Sequence, residues 1–169
     1  MDGVFETVVG YCGGESKYPT YHRIGDHMES IQVRFDPQVL GYDDLLKIFW
    51  KEHDYSCQSF SRQYMNAVFY HNEQQHQAVL NSKEPLKGRV ETEISPIKQF
   101  YPAEDYHQKF YLQRHSQVRN FFLGLYPVFT DFVASTSAAR INGILGGYRD
   151  MSGLAGILKE WGITGSVTV

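Results

Sequence analysis

The sequence predicts an α+β fold in which a mixed sheet is packed against helices as a sandwich. Three observations predict it. Two β-rich stretches, residues 5–11 and 27–35, follow one another with no helical segment between them. Strand-like and helix-like periods then alternate, and the last third is helical.

Phe5 to Tyr11 is rich in β-formers and stops at Gly13-Gly14, which marks a turn. A loop containing Tyr18-Pro19-Thr20-Tyr21 follows. In residues 27–35, a period of two puts His27, Glu29, Ile31, Val33 and Phe35 on one face, expected to meet the core. Met28, Ser30, Gln32 and Arg34 take the other, and Asp36-Pro37 ends the strand. Gly41 to His53 reads as a helix: Asp43 and Asp44 suit its first turn, and Leu45, Leu46, Ile48, Phe49 and Trp50 form a wide apolar stripe.

Residues 65–70 read as a strand, and Asn72 caps a helix running through Leu80. Val90 to Ile94 is the next strand. Phe100 to His107 reads as a loop around Pro102, turning helical. Val118, Phe121, Phe122 and Leu125 share a helical stripe that Pro127 interrupts. A last helix is expected from a Ser152 cap, with Leu154, Ile157, Leu158 and Trp161 on one side and Gly162 at its end.

With 169 residues, 42% of them hydrophobic, the chain is expected to form one core. A net charge of -3 without a Lys/Arg block argues against nucleic-acid or membrane-surface partners. No stretch nears the roughly 20 apolar residues of a membrane span, and Met1-Asp2-Gly3 does not open a secretory signal. The two cysteines, Cys12 and Cys57, make no disulfide framework, so a reducing compartment, by default the cytoplasm, is expected. The histidines are scattered, His71 and His76 being five apart, so neither a metal nor another cofactor is expected.

A carboxyl held against apolar walls retains its proton and can serve as an acid, which makes Glu29 a candidate; the alternative is a strand-end carboxylate that reaches water. Tyr21 and Tyr64 are phenols able to donate to a substrate oxygen, or ordinary rim tyrosines. His27 reads as support for its loop. Nothing beside Cys12 in the sequence would lower its pKa.

The pieces also occur in a telling order. Val9-Gly10-Tyr11 with Gly13-Gly14 leads to Pro19-Thr20-Tyr21, then to Gly25-Asp26-His27 with Glu29. A Tyr-Asp-Asp-Leu-Leu helix ending in Phe49-Trp50 precedes His53-Asp54, Arg62-Gln63-Tyr64 and Ala67-Val68-Phe69-Tyr70. Last comes Phe100-Tyr101-Pro102-Ala103-Glu104-Asp105-Tyr106-His107-Gln108. From Phe5 to Tyr111 this ordered set resembles the type-A peptide methionine sulfoxide reductases.

The resemblance implies a ferredoxin-like sandwich and repair of oxidised methionine, free or in proteins, at the S epimer of the sulfoxide. A cysteine thiolate attacks the sulfur, an acid protonates the oxygen, and methionine leaves a sulfenic acid behind. A second thiol or a thioredoxin-like reductant then restores the cysteine. By motif position Glu29 is the acid, Tyr21 and Tyr64 hold the oxygen, and His107 lines the substrate pocket. An apolar setting is what would keep the acid protonated near neutral pH.

The chain departs from this pattern. The Gly-Cys-Phe-Trp motif that bears the nucleophile is absent, and the sequence starts at what resembles the family's second strand. The first strand and helix are then expected to be missing, leaving backbone groups unpaired on two neighbours. Ser59 stands where many members have a carboxylate, and no cysteine follows Cys57, so an external thiol is the expected reductant. Two parts are expected: an incomplete reductase-like domain over 1–111, and a helical extension over 112–169 packed on it. Three readings stay open: a truncated and inactive family member, a protein that binds methionine or its sulfoxide without catalysis, and an enzyme that uses Cys12.

Overall fold

In the chain, seen here in a computed structural model, residues 1–148 are described, together with Gly156 and Lys159. The helix expected between Ser152 and Gly162 lies outside the described residues. β1 (Val4–Cys12) and β2 (Met28–Phe35) pair antiparallel, with Tyr11 opposite Glu29 and Val9 opposite Ile31. β1 carries most of the β-branched residues of the first stretch, which suit a pleated, half-buried surface.

α1 (Tyr42–Lys51) begins at Gly41 with Asp43 and Asp44 in its first turn and Lys51 in its last, as the helix dipole favours. β3 (Ala67–Tyr70) leads through Asn72 into α2 (Glu73–Lys83), and the Asn72 side chain accepts the Gln75 N–H at 2.9 Å. β4 (Glu93–Pro96) begins three residues later than Val90. The parallel register with β3 starts at Ala67↔Glu93, while Glu91 N–H is taken by the Tyr55 carbonyl in the loop before it.

Phe100–Pro102 is a strand, β5, not the loop that Pro102 suggested. Three residues carry too little pattern to read as a strand; the free edge of β1 makes them one, through Tyr11↔Tyr101 and Cys12↔Phe100. A Cβ on Gly10 would run into the Tyr101 carbonyl oxygen and the Phe100 ring, so glycine is what permits this approach.

The strands form two sheets, an antiparallel one in the order β2-β1-β5 and a parallel pair β3-β4. Among the described residues, the outer edges of β2 and β3 have no strand beside them. A cleft of about 530 Å³ lies between them, lined by Met28 and Ile31 of β2, Val68 and Phe69 of β3, and Leu45 and Phe49 of α1.

The helical third forms α3 (Phe110–Gln113), α4 (Ser116–Leu125), α5 (Phe129–Ala134) and α6 (Thr136–Leu145), with Pro127 between α4 and α5. Leu112, Val118, Phe122, Phe132, Ile141 and Leu145 build one core, against which Val8 of β1 packs. A second core joins Leu46 and Trp50 of α1 to Val68 of β3 and Val79 of α2. Placing the helices on β1 and on the parallel pair corrects one expectation. The β2 face of Glu29 and Ile31 does not enter a core: Glu29 is exposed and Ile31 is 60% exposed.

Candidate active site

The segment between β1 and β2 is organised from its C-terminal end. The Asp26 carboxylate accepts Glu15 N–H at 2.7 Å, Ser16 N–H at 3.1 Å and the Ser16 hydroxyl at 2.7 Å, and these bonds hold its pKa far below the usual range. The next residue, His27, is fully buried. Its Nδ1 accepts Gly14 N–H at 3.2 Å and its Nε2 donates to the Ser16 carbonyl at 2.8 Å, a pairing that only a neutral ring with the proton on Nε2 satisfies. His27 thus supports its loop, as its position suggested.

This scaffold presents Tyr21 at a tight turn closed by Thr20 and Arg23, whose backbones exchange bonds of 3.3 and 3.0 Å. The Tyr21 N–H donates to Glu104 Oε1 at 3.0 Å, and the Tyr21 ring lies 4.8 Å from that of His107. Tyr64 ends a one-turn helix, Arg62–Tyr64, and is 56% exposed. A hydrogen bond with Tyr21 is the main reason its phenol pKa is raised, the charge of Glu29 adding to it. Beside Tyr64 in the chain, Gln63 donates from Nε2 to Glu29 Oε1 at 2.5 Å.

The structure therefore brings together all four residues singled out from the sequence. Tyr21, Glu29 and His107 line a pocket of about 360 Å³ with Tyr11, Ile31 and Phe110, and Tyr64 meets Tyr21 at its rim. His107 is wedged between Tyr21 and Tyr106, and its Nε2 is buried without a hydrogen-bond partner. An unsatisfied nitrogen at a pocket wall is a ready contact for a bound polar group. No lysine or arginine is among the described residues lining the pocket. The apolar wall expected for Glu29 is only partly there: Ile31 and Val9 border it, but the carboxyl is open to solvent.

The two thiols lie elsewhere. Cys12 is buried, and burial pushes its pKa up. Cys57 is exposed, and the nearby Asp54 carboxylate, through a hydrogen bond and its charge, raises its pKa. Neither has the lowered pKa of a reactive thiolate, and neither lines the Tyr21 pocket.

The family model described as peptide methionine sulfoxide reductase matches residues 1–137. The chain belongs to the peptide methionine sulfoxide reductase family. A Drosophila melanogaster peptide methionine sulfoxide reductase is 37% identical over 168 residues, covering 96% of this chain and 67% of that protein. A Methanosarcina acetivorans reductase is 43% identical over 126 residues, covering 66% of this chain and 67% of that protein. A third relative, from Methanosarcina mazei, is covered over 64% of its length, so the chain spans about two thirds of these curated relatives.

Among solved structures, yeast Mxr1 in reduced form superposes with a TM-score of 0.63 at 29% identity, over 69% of this chain and 74% of that one. The methionine sulfoxide reductase A of Corynebacterium diphtheriae gives 0.57 at 30% identity, over 67% and 65%. The reductase-family match runs past Leu112 through α5 to the start of α6. The family is one of oxidoreductases acting on methionine sulfoxide, and its α+β fold is the fold described above.

Several residues that support the pocket carry no signal of that role in the sequence. Tyr11 and Glu104 stand inside two of the ordered motifs, and Arg62 and Gln63 inside a third. Their partners lie far away in the chain, so no local spacing signals them.

Proposed function

We propose that the Tyr21–Glu29–Tyr64 pocket binds the sulfoxide group of an oxidised methionine side chain, free or in a protein. Tyr21 and Tyr64 donate hydrogen bonds to the sulfoxide oxygen, and Glu29 supplies the proton that makes this oxygen transferable. The reading is supported above all by two phenols meeting beside a carboxyl that Gln63 holds in place. Ile31, Val9 and Phe110 offer apolar surface for the thioether side chain, and the unpartnered Nε2 of His107 offers one more polar contact.

The full reaction needs a thiolate. It attacks the sulfoxide sulfur to form an S–S bond as the oxygen takes a proton; the hydroxyl then passes to the cysteine sulfur while the S–O and S–S bonds to the methionine sulfur break, leaving methionine and a cysteine sulfenic acid. A dithiol of the thioredoxin type then reduces the sulfenic acid with loss of water. Cys12 and Cys57 both have raised pKa values, so neither carries the mark of that activated thiolate. The two free thiols suit a reducing compartment such as the cytoplasm.

The experiment is an NMR titration of the full chain with an N-acetylated methionine sulfoxide peptide, each sulfoxide epimer separately, alongside a turnover assay with dithiothreitol. Saturable shifts at Tyr21 and Glu29 with the S epimer, and no turnover, are expected. Replacing either Tyr21 or Tyr64 by Phe should weaken binding by about twofold to tenfold, the worth of one hydrogen bond. An absence of binding by either epimer sinks the proposal. Turnover would instead assign the nucleophile to one of the two cysteines, and Cys12→Ser and Cys57→Ser would identify which.

A further inference from the structure

We propose that Arg62, clasped to Glu93, is a positioning residue that sets Tyr64 against Tyr21 and Gln63 against Glu29. This rests on the sulfoxide-binding reading of the pocket and adds to it a device that joins the two sheets.

Tyr21 and Glu29 belong to the antiparallel sheet and the loop that feeds it, whereas the one-turn helix Arg62–Tyr64 leads directly into β3 of the parallel pair. No ladder of backbone hydrogen bonds links the two sheets among the described residues. The pocket lining comes from the antiparallel sheet, its loop and the segment after β5, and Gln63 reaches it from the side of the parallel pair, so side chains must set how the two sheets meet there.

The Arg62 guanidinium reaches both. Nη2 donates to the Gly13 carbonyl and Nε to the Asp26 carbonyl, each at 3.3 Å, at the two ends of the loop that carries Tyr21. Toward the parallel pair, Nη1 donates to Glu93 Oε2 at 2.5 Å and Nη2 to Glu93 Oε1 at 3.4 Å. Glu93 is the first residue of β4, and the Ser95 hydroxyl fixes it further at 2.8 Å.

This is a forked, charge-assisted contact between side chains only 35% and 29% exposed, so solvent screens it less than an open surface pair. The geometry needs a planar fork with donors in three directions. A lysine ammonium is a point charge on a flexible stem and cannot span three elements at once. The two residues that follow Arg62 make the contacts that matter for the pocket: Gln63 to Glu29, and Tyr64 to Tyr21. Gly13 tightens the arrangement, because its positive φ of 84° lets the turn lie where a Cβ would stand 2.6 Å from the Phe69 ring of β3.

The test uses Arg62→Lys and the milder Glu93→Gln in the full chain, with the tyrosine rings assigned by NMR. In both variants the Tyr64 phenol should titrate at an ordinary tyrosine value, because it has lost Tyr21. The Tyr11 phenol, held by Glu104 on the other side of the pocket, should stay raised. The Gln63 side-chain amide signals should shift toward those of a free amide as the Glu29 contact is lost, and affinity for the N-acetylated sulfoxide peptide should fall about tenfold.

Adding Tyr64→Phe to Arg62→Lys should then cost nothing more. An unchanged Tyr64 titration with the Gln63 amide signals also unchanged overturns the proposal. So does a parallel fall of Tyr11 and Tyr64, which would mean general loosening. Should Arg62→Lys fail to fold, Glu93→Gln decides by the same readouts. If the parent chain binds no sulfoxide, the function proposed above fails, while the Tyr64 titration still judges the clasp.

Discussion

The phenol of Tyr11 donates to Glu104 Oε2 at 2.6 Å across 93 positions of sequence. The same carboxylate takes the Tyr21 N–H on its other oxygen, so one side chain ties β1 to the loop that carries the pocket. Burial and the negative partner push the Tyr11 phenol well above its ordinary value. Burial acts to raise Glu104 as well, but the bonds from Tyr11 and Tyr21 outweigh it and leave the carboxyl below the usual range.

A carboxyl with a folded pKa below its unfolded one stabilises the fold above the ordinary glutamate value, and this contribution is lost as the pH falls through the folded value. Between about pH 5 and pH 3 the parent chain should therefore lose stability to urea more steeply than Glu104→Gln. Equal slopes in the two proteins would remove Glu104 from this role. The variant should also bring the Tyr11 absorbance titration down toward that of a free tyrosine.

Lys109 shows the opposite sign. It is 4% exposed, its ammonium donates to the Thr7 carbonyl at 2.5 Å, and burial lowers its pKa to about 8. Between about pH 8 and pH 10.4 the unfolded chain binds this proton more tightly, so stability should rise with pH in that window. Lys109→Met should flatten the rise. Thermal melts of both proteins at a series of alkaline pH values check it, and identical slopes would count against a buried charged lysine.

The thiols should differ in access more than in acidity. Both pKa values are raised, by burial for Cys12 and by the Asp54 contact for Cys57. Alkylation with iodoacetamide near neutral pH, followed by mass spectrometry, should label exposed Cys57 first and buried Cys12 at least about tenfold more slowly. Faster labelling of Cys12 would revive it as a nucleophile.

The helical third should be inseparable from β1. Phe122 is fully buried, and Val8 of β1 packs against the same core. Phe122→Ala should cost about 3–5 kcal/mol in urea unfolding, in a single transition that also reports on the sheet. Removing residues 112–169 should leave β1 uncovered and the remaining chain without a cooperative melt. Two separate transitions would instead mark the helices as an independent unit.

Much of the architecture was legible in the sequence because it depends on neighbours in the chain. The period of two across residues 27–35, the apolar stripe behind Gly41 and the cap at Asn72 all became the elements they predicted. β4 was displaced and β5 hidden, because three- and four-residue strands exist only where a partner edge offers bonds. The ordered motifs pointed to the family, and the same motifs contained the residues of the pocket.

By itself the sequence determined which residues share a face and where helices start, and its ordered motifs, through the family they resemble, grouped Tyr21, Glu29, Tyr64 and His107. Only the tertiary structure decided what covers each face. Alternation in β2 groups Glu29 with Ile31, but helices packed on β1 and on the parallel pair left that face open. It also decided that Glu104 serves Tyr11 and Tyr21 at once, and that Arg62 joins loop to β4. The reason is physical: periodicity is local geometry repeated along a backbone, whereas burial and long-range hydrogen bonds depend on which distant segments the chain brings alongside.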